Sequence, residues 1–434
     1  MFAVLLAILL TAAAGVPLVL LVDPRARGGI LAGLAFLYGT ALVYAVLLIL
    51  SLLHIPWSLW TAGSGIAVLA VIAALARRRP AGWSAGGPPA APWSFADLPT
   101  LYVLLCFTLF ATAARLWQWD FWAIWGLKAR VFAFHRGVDW AYLRSPWNDF
   151  CHPDYPLLVP LNYDWAAILG RGYDDRWLGF YNVAFGVALL LIVRSMLRRE
   201  LPRPWTAALI ALASCAFALS WYIGLAEGAL IACSASAVLF IRRALMDDDH
   251  TAMRHGAILL GLAASCKNEG LAIIASIALV LFFLDRRRVL RLWPAVAIAV
   301  PWLVIRAAYG LSTDIARGSF AARLVDRLGD APHIFLGLLV YLPDLWMWLL
   351  LLLALLVIPR EERRRERFVL YWALAQLAVY IAVYFGTPRD VDWHIGTSWP
   401  RLTRQLGVPV VYAVMVALAR VILSRADGEG SQNA

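Results

Sequence analysis

Between two apolar stretches the chain reads WQWDFWAIWGLKARVFAFHRGVDWAYLRSPWNDFCHPDYP, from Trp117 to Pro156, setting ionisable groups beside large aromatic faces. Asp120 follows directly after an apolar run, where a carboxylate can serve as general base on a hydroxyl or amine. If the segment is helical, the 3.6-residue period puts Lys128 two turns on and roughly 80° around from Asp120, so that both share an outer rim. The same period gathers Trp117, Phe121, Trp125 and Phe132 on one face. Such a mixture suits a polar, ring-shaped substrate delivered from lipid. A span-end anchor inside an aromatic belt is the simpler alternative for Asp120.

Downstream, CHPDYP pins His152, Asp154 and Tyr155 between prolines that fix the backbone ahead of an apolar segment. The corner could hold a diphosphate-like group or a divalent cation, but His152 and Asp154 are only two ligands, and the sequence fixes no cofactor. A stiff turn is the plainer reading. The motif SCKNEG interrupts two apolar runs with Lys267 and Glu269, and ionisable groups at membrane depth are functional candidates because their burial is costly. Glu227, in WYIGLAEGAL, opens another apolar run, where a carboxylate also suits a helix N-terminus. Arg306 and the island YFGTPRDVDWHIGTSWPRLTRQLGVP, which carries His394, Arg401 and Arg404, complete the candidates. Of 38 basic residues only two are lysine, Lys128 and Lys267. In a chain that otherwise uses arginine, those positions could call for a compact ammonium, of the kind that binds phosphate at Lys267, with chance placement as the plain alternative.

The elements that position these groups are membrane spans. With 434 residues, 62% of them hydrophobic and 15% charged, the chain falls in the polytopic membrane class, and no polar stretch is long enough for a separate soluble core. Apolar runs are predicted at 2–22, 30–53, 60–76, 98–115, 177–196, 205–222, 225–241, 268–284, 292–308, 336–358, 368–386 and 405–423, with the shorter 256–266 also crossing. The fold class is therefore an all-α polytopic membrane protein of about 13 transmembrane helices. Met1 to Val22 lacks a basic leader region and a cleavage site, and reads as a retained span.

Arginine-rich loops place the N-terminus outside and the C-terminus inside, which also accounts for a net charge of +11 without nucleic acid. Four islands then share the outer face: 116–176, the turns at Glu227 and Cys266–Glu269, Arg306–His333 and Thr387–Arg404. Leu157–Gly170, too short to cross, is expected to lie along that surface. The chain divides into residues 1–97, with three spans and a Gly/Pro/Ser-rich linker over 80–97, a core over 98–423, and a cytoplasmic tail over 424–434. The five cysteines are scattered and read as small core residues.

The order Asp after a span, an aromatic-rich loop helix, HPDYPLLVPL, GLAEGAL, CKNEG, PWLVIRAAYG and DWHIGTSWPRLTRQL resembles the C-type membrane glycosyltransferases. The similar members are the protein O-mannosyltransferase and aminoarabinose-transferase group, glycosyltransferase family 39, and the resemblance runs over about residues 98–423. It implies interfacial jaw helices in the first large periplasmic loop, a polyprenyl-phosphate sugar donor, Asp120 as the base, and His152 and Asp154 as the His-Pro corner. It further implies Lys267 near lipid phosphate, and a site on the periplasmic side of a bacterial inner membrane. The chain departs in carrying Asp120-Phe121 where many members have an Asp-Glu pair, and in lacking a large soluble C-terminal domain. The expected activity is inverting sugar transfer to a periplasmic or lipid-linked acceptor. The alternatives are a multi-span transporter or flippase, whose sites sit nearer mid-membrane, and a non-catalytic assembly protein.

Overall fold

A computed structural model describes residues 1–77, 94–113, 116, 118–201, 203–216, 224–311, 319–343 and 345–432. The expected linker falls largely on 78–93, and Trp117 on an isolated position, both outside the described residues. No strand occurs among the described residues.

The chain opens with α1 (Phe2–Val22), α2 (Gly28–Leu52), α3 (Leu59–Ala76) and α4 (Leu98–Ala113). A π-helical turn at Phe121–Trp125 leads into α5 (Gly126–His135), followed by α6 (Trp140–Arg144), α7 (Leu158–Gly170), α8 (Gly179–Glu200), α9 (Pro204–Ala216), α10 (Glu227–Asp247) and α11 (His250–Cys266). Next come α12 (Glu269–Val289), α13 (Trp293–Ala308), α14 (Phe320–Asp326), α15 (Ala331–Val340), α16 (Leu345–Val357), α17 (Arg360–Arg365), α18 (Arg367–Gly386) and α19 (Val391–Gln432).

Eight helices among the described residues are long and apolar enough to cross a bilayer, and a ninth if the bent pair Phe320–Val340 and Leu345–Val357 is one crossing. In lipid only helices satisfy their own backbone over such lengths, and the chain is an all-α, multi-pass membrane protein. These helices account for eight or nine of the 13 expected crossings. The run 256–266 belongs to α11, of 17 residues, and 292–308 to α13, of 16. The run 268–284 belongs to α12, which breaks at Asp285 (φ −161°, ψ 85°). Of 205–222 only the part in α9 is described.

Two further expectations are corrected. Residues Leu158 to Ala167 of α7 are all buried, so this helix is enclosed by α1, α2 and α5 instead of lying along a surface. Its apolar residues are distributed all round, and such a helix is stable only when covered on every side. The island 387–404 is mostly helix: α19 starts at Val391 and continues through Pro400 and Pro409, so Arg401 sits well inside a helix.

Close helix contact rests on small residues. Gly15 of α1 and Gly39 of α2 approach so tightly that a Cβ on either would lie 1.8 Å from a carbonyl oxygen of the facing helix. The loop after α2 then docks the loop region beyond α4. Trp57 N donates to Arg136 O (2.7 Å), and Val138 N donates to Ser51 Oγ (3.1 Å).

Candidate active site

Five ionisable side chains from four places in the sequence meet at one end of the bundle. Asp120 accepts from Arg401 Nη1 at 2.5 Å, Arg401 Nε lies 3.6 Å from Glu227 Oε1, and the same Glu227 oxygen takes the Lys267 ammonium at 2.9 Å. Lys267 also reaches Glu269 Oε1 at 2.6 Å. Acid and base alternate along the ladder Asp120–Arg401–Glu227–Lys267–Glu269, in which the Glu227–Lys267 pair is closed while Asp120, Arg401 (24% exposed) and Glu269 are partly open. Glu227 and Lys267 side chains are 1% and 3% exposed, against 19% for Asp120 and 22% for Glu269.

Helix ends make this meeting local. Glu227 and Glu269 are the first residues of α10 and α12, and Lys267 caps α11. The turn after α11 is tight because Gly270 packs on it: a Cβ there would stand 2.4 Å from the Ala263 carbonyl. Burial alone would pull the Lys267 ammonium down, but Glu227 and Glu269 hold it above the usual lysine value. On the other wall, Gly224 (φ +81°) leaves no room for a side chain beside Phe121, bringing the Asp120 segment against the start of α10.

The π turn at Phe121–Trp125 corrects the rim expectation. A π turn holds one residue more than an α turn and rotates the residues downstream of it by about 100°, cancelling the roughly 80° expected between Asp120 and Lys128. The two side chains therefore project from nearly the same side of the segment, Asp120 to the part-open Arg401 and Lys128 into the interior. Lys128 is fully buried; its ammonium donates to His152 O at 2.5 Å and lies 5.8 Å from the Trp125 ring and 5.9 Å from the Tyr155 ring. Burial lowers its pKa from 10.5 to about 8, against the opposing pull of Cys151 and Asp154.

The His-Pro corner lies next to the ladder. His152 takes a left-handed conformation (φ 50°, ψ 70°) and stacks on Tyr155 at 4.7 Å, which stacks on Trp125 at 5.5 Å. Asp154 is fully buried: its carboxylate accepts from Asn268 Nδ2 (2.7 Å) and its carbonyl from Trp302 Nε1 (3.0 Å). Asn268 sits between Lys267 and Glu269, so one bond ties the corner to the ladder. Arg306 lies one turn beyond Trp302 on α13, half-buried, with no ion pair or side-chain hydrogen bond among the described residues. His394 lies two turns before Arg401 on α19, bonded to Thr387 Oγ1 at 2.8 Å and set edge-on to Tyr384. It does not join the ladder.

No group of three or more metal-ligating side chains occurs among the described residues. His152 and Asp154 are engaged in stacking and in the bond to Asn268. Asn268 and Trp302 were not among the sequence candidates, and neither was Asp164. That aspartate of α7 is fully buried, with neither oxygen hydrogen-bonded among the described residues, and burial raises its carboxyl well above the ordinary value.

A second charge network occupies the opposite end, 15 residues or about 22 Å along α10 from Glu227. Arg242 binds Glu366 and Glu200, Arg420 binds Glu200 at 2.5 Å, and Arg194 and Arg198 bind Asp97. These pairs close the arginine-rich end.

No family model matches the chain, no curated protein matches it, and no solved structure matches it.

Proposed function

We propose that the chain is a membrane glycosyltransferase that moves a sugar, with inversion, from a polyprenyl-phosphate donor to an acceptor hydroxyl or amine, with Asp120 as general base. The supporting observation is the state of Asp120. One oxygen is fixed by Arg401, and the other, Oδ1, has no hydrogen-bond partner among the described residues and sits at the open end of the ladder. A carboxylate aimed by one guanidinium keeps its second oxygen for an acceptor proton. Trp119 and Trp122, 72% and 53% exposed beside it, offer ring faces for a sugar.

In this reading the acceptor oxygen or nitrogen gives its proton to Asp120 and attacks the anomeric carbon, while the bond to phosphate oxygen breaks with its electron pair. The phosphate needs a cation that carboxylates have not already taken. The ladder holds three acids and two bases, and Lys267 is engaged by Glu227 and Glu269. The phosphate role therefore goes to Arg306, with Lys267 keeping the acidic residues in place. Electrostatic stabilisation of a leaving phosphate is often the largest catalytic contribution. A ladder at one end, away from mid-bundle, also fits an enzyme working at the membrane surface better than a transporter. Arginine bias supports an outward-facing ladder end, which in this reading of a bacterial inner-membrane enzyme is the periplasmic side.

The test uses purified protein in nanodiscs with polyprenyl-phosphate sugars radiolabelled in the sugar. Asp120→Asn is expected to lower turnover by about 10²–10⁴-fold with an unchanged melt, and Arg306→Gln to raise the KM for donor. Near-normal turnover of Asp120→Asn would move the base elsewhere, and an unchanged donor KM in Arg306→Gln would reject the phosphate assignment.

A further inference from the structure

At the arginine-rich end, far from the ladder, a groove of about 710 Å³ opens between α11 and α13 and is floored by Leu21 and Val22 at the end of α1. Its shape follows from one glycine. Gly261 lets α11 meet α13 so closely that a Cβ there would stand 2.6 Å from Ile298 Cβ and 3.1 Å from Ala295 O. The groove begins at Ile298, at that crossing, and takes in α11 from Ile258 to His250. From Ile258 down to His250 it spans nine residues of α11, about 12 Å of helix.

The lining is mostly apolar, with Ile258 on α11 and Ala297 on α13, and includes Trp293, 69% exposed. The cations come from the His250 end of α11 and the turn before α13. His250 and Arg254 stand one turn apart on α11, and Arg291 precedes α13 and donates to His250 Nδ1 at 2.5 Å. Neither Arg254 nor Arg291 has a carboxylate partner among the described residues, whereas neighbouring Arg242, Arg243 and Arg288 are all paired with acids. A slot with a greasy interior, cations at one end and an aromatic ring at the water boundary is complementary to an anionic amphiphile with an acyl chain. Basic pockets between membrane helices commonly hold such head groups.

We infer that this groove binds one anionic phospholipid from the leaflet at the arginine-rich end, its phosphate between Arg254 and Arg291 and an acyl chain along Ile258 and Ala297. The site is separate from the proposed donor site, and a surface cation contributes roughly fivefold in affinity for an anionic lipid.

Detergent-purified full-length chain is titrated with phosphatidylglycerol, with phosphatidylcholine of the same chains, and with inorganic phosphate. Binding is read by native mass spectrometry and by intrinsic-fluorescence melts. Phosphatidylglycerol should bind and raise the melting temperature well beyond phosphatidylcholine, and inorganic phosphate should do neither. The double variant Arg254→Gln/Arg291→Gln should weaken phosphatidylglycerol about 30-fold, and Ala297→Trp, which fills the groove and keeps both cations, should weaken it as well. Equal binding of the two lipids would show an unselective greasy cleft, and a shift produced by inorganic phosphate would show an anion site without a lipid. Unchanged binding in the Arg254→Gln/Arg291→Gln chain, itself folded by its lipid-free melt, also overturns the assignment.

Discussion

Removing the Lys267 ammonium tests whether the ladder is a structural device or a waiting phosphate site. Lys267 lies 2.9 Å from Glu227 and 2.6 Å from Glu269. At an effective dielectric of 20 the Glu227 contact is worth about 6 kcal/mol in Coulomb terms. Desolvation of several kcal/mol per ion offsets most of that, so the intact pair adds little net stability. Deleting one partner is another matter, since it strands a carboxylate. Glu227 would keep only Arg401 at 3.6 Å, a guanidinium already held by Asp120 at 2.5 Å. Lys267→Met should therefore cost about 3 kcal/mol, the low end for breaking a buried pair, because Arg401 gives partial compensation. Adding Glu227→Gln should recover most of the loss, whereas adding Glu269→Gln should recover little, as Glu269 can turn to water. The assay is apparent melting temperature by tryptophan fluorescence at one scan rate in one detergent, with and without polyprenyl phosphate. A Lys267→Met chain that melts with the parent in the absence of lipid, and loses only lipid-induced stabilisation, would refute the structural role.

Other outcomes rest on single features. The folded Lys128 gives up its proton near pH 8 while the unfolded chain holds it to 10.5, so the unfolded state binds more protons across that window and stability rises with pH there. That gain is about 3 kcal/mol, present above pH 10.5 and lost as pH falls through about 8; melts of the parent against Lys128→Met from pH 7 to 10.5 measure it by difference. Asp164 has the opposite sign: its raised carboxyl stabilises the fold below the ordinary carboxylate value and loses that contribution as pH rises through the folded value. Asp164→Asn should flatten this slope, and a variant that melts with the parent's pH profile would show a charged Asp164. Gly39→Ala should lower the apparent melting temperature by several degrees, because its methyl meets Thr11 O at 1.8 Å and must push α1 from α2.

Much of the helical layout was legible because uninterrupted apolar runs of span length admit no other structure in lipid. The ends of helices were harder. Lys267 stood out by its rarity, but its main partner Glu227 lies 40 residues away, and Arg401 lies 281 residues from Asp120. No periodicity relates the tips of different helices, so such pairings were invisible. The last apolar run reads as 405–423 because the residues before it are polar, yet the helix already begins at Val391, and the polarity of Arg401 serves the ladder and leaves helix formation intact. Leu157–Gly170 read as a surface helix from its short length between two outward-facing loops, since nothing local records that α1, α2 and α5 surround it. Asn268 and Trp302 escaped because neither residue type advertises itself between apolar neighbours, and Asp164 because it sits in the otherwise apolar LNYDWAAIL.

The π turn between Asp120 and Lys128 makes the proposed site depend on a count. Side-chain substitutions within Phe121–Trp125 change packing, but the aim of Asp120 at Arg401 and of Lys128 at His152 is set by how many residues lie between them. Removing one residue would restore ordinary α register and swing one of the two ionisable groups by about a quarter of a turn, out of its contact, even if every neighbouring side chain were kept. The segment is thus tolerant of spelling and intolerant of length. Among chains descended from this one, insertions and deletions should be scarcer between positions 120 and 128 than in the loops on either side of it, however far the letters themselves have drifted.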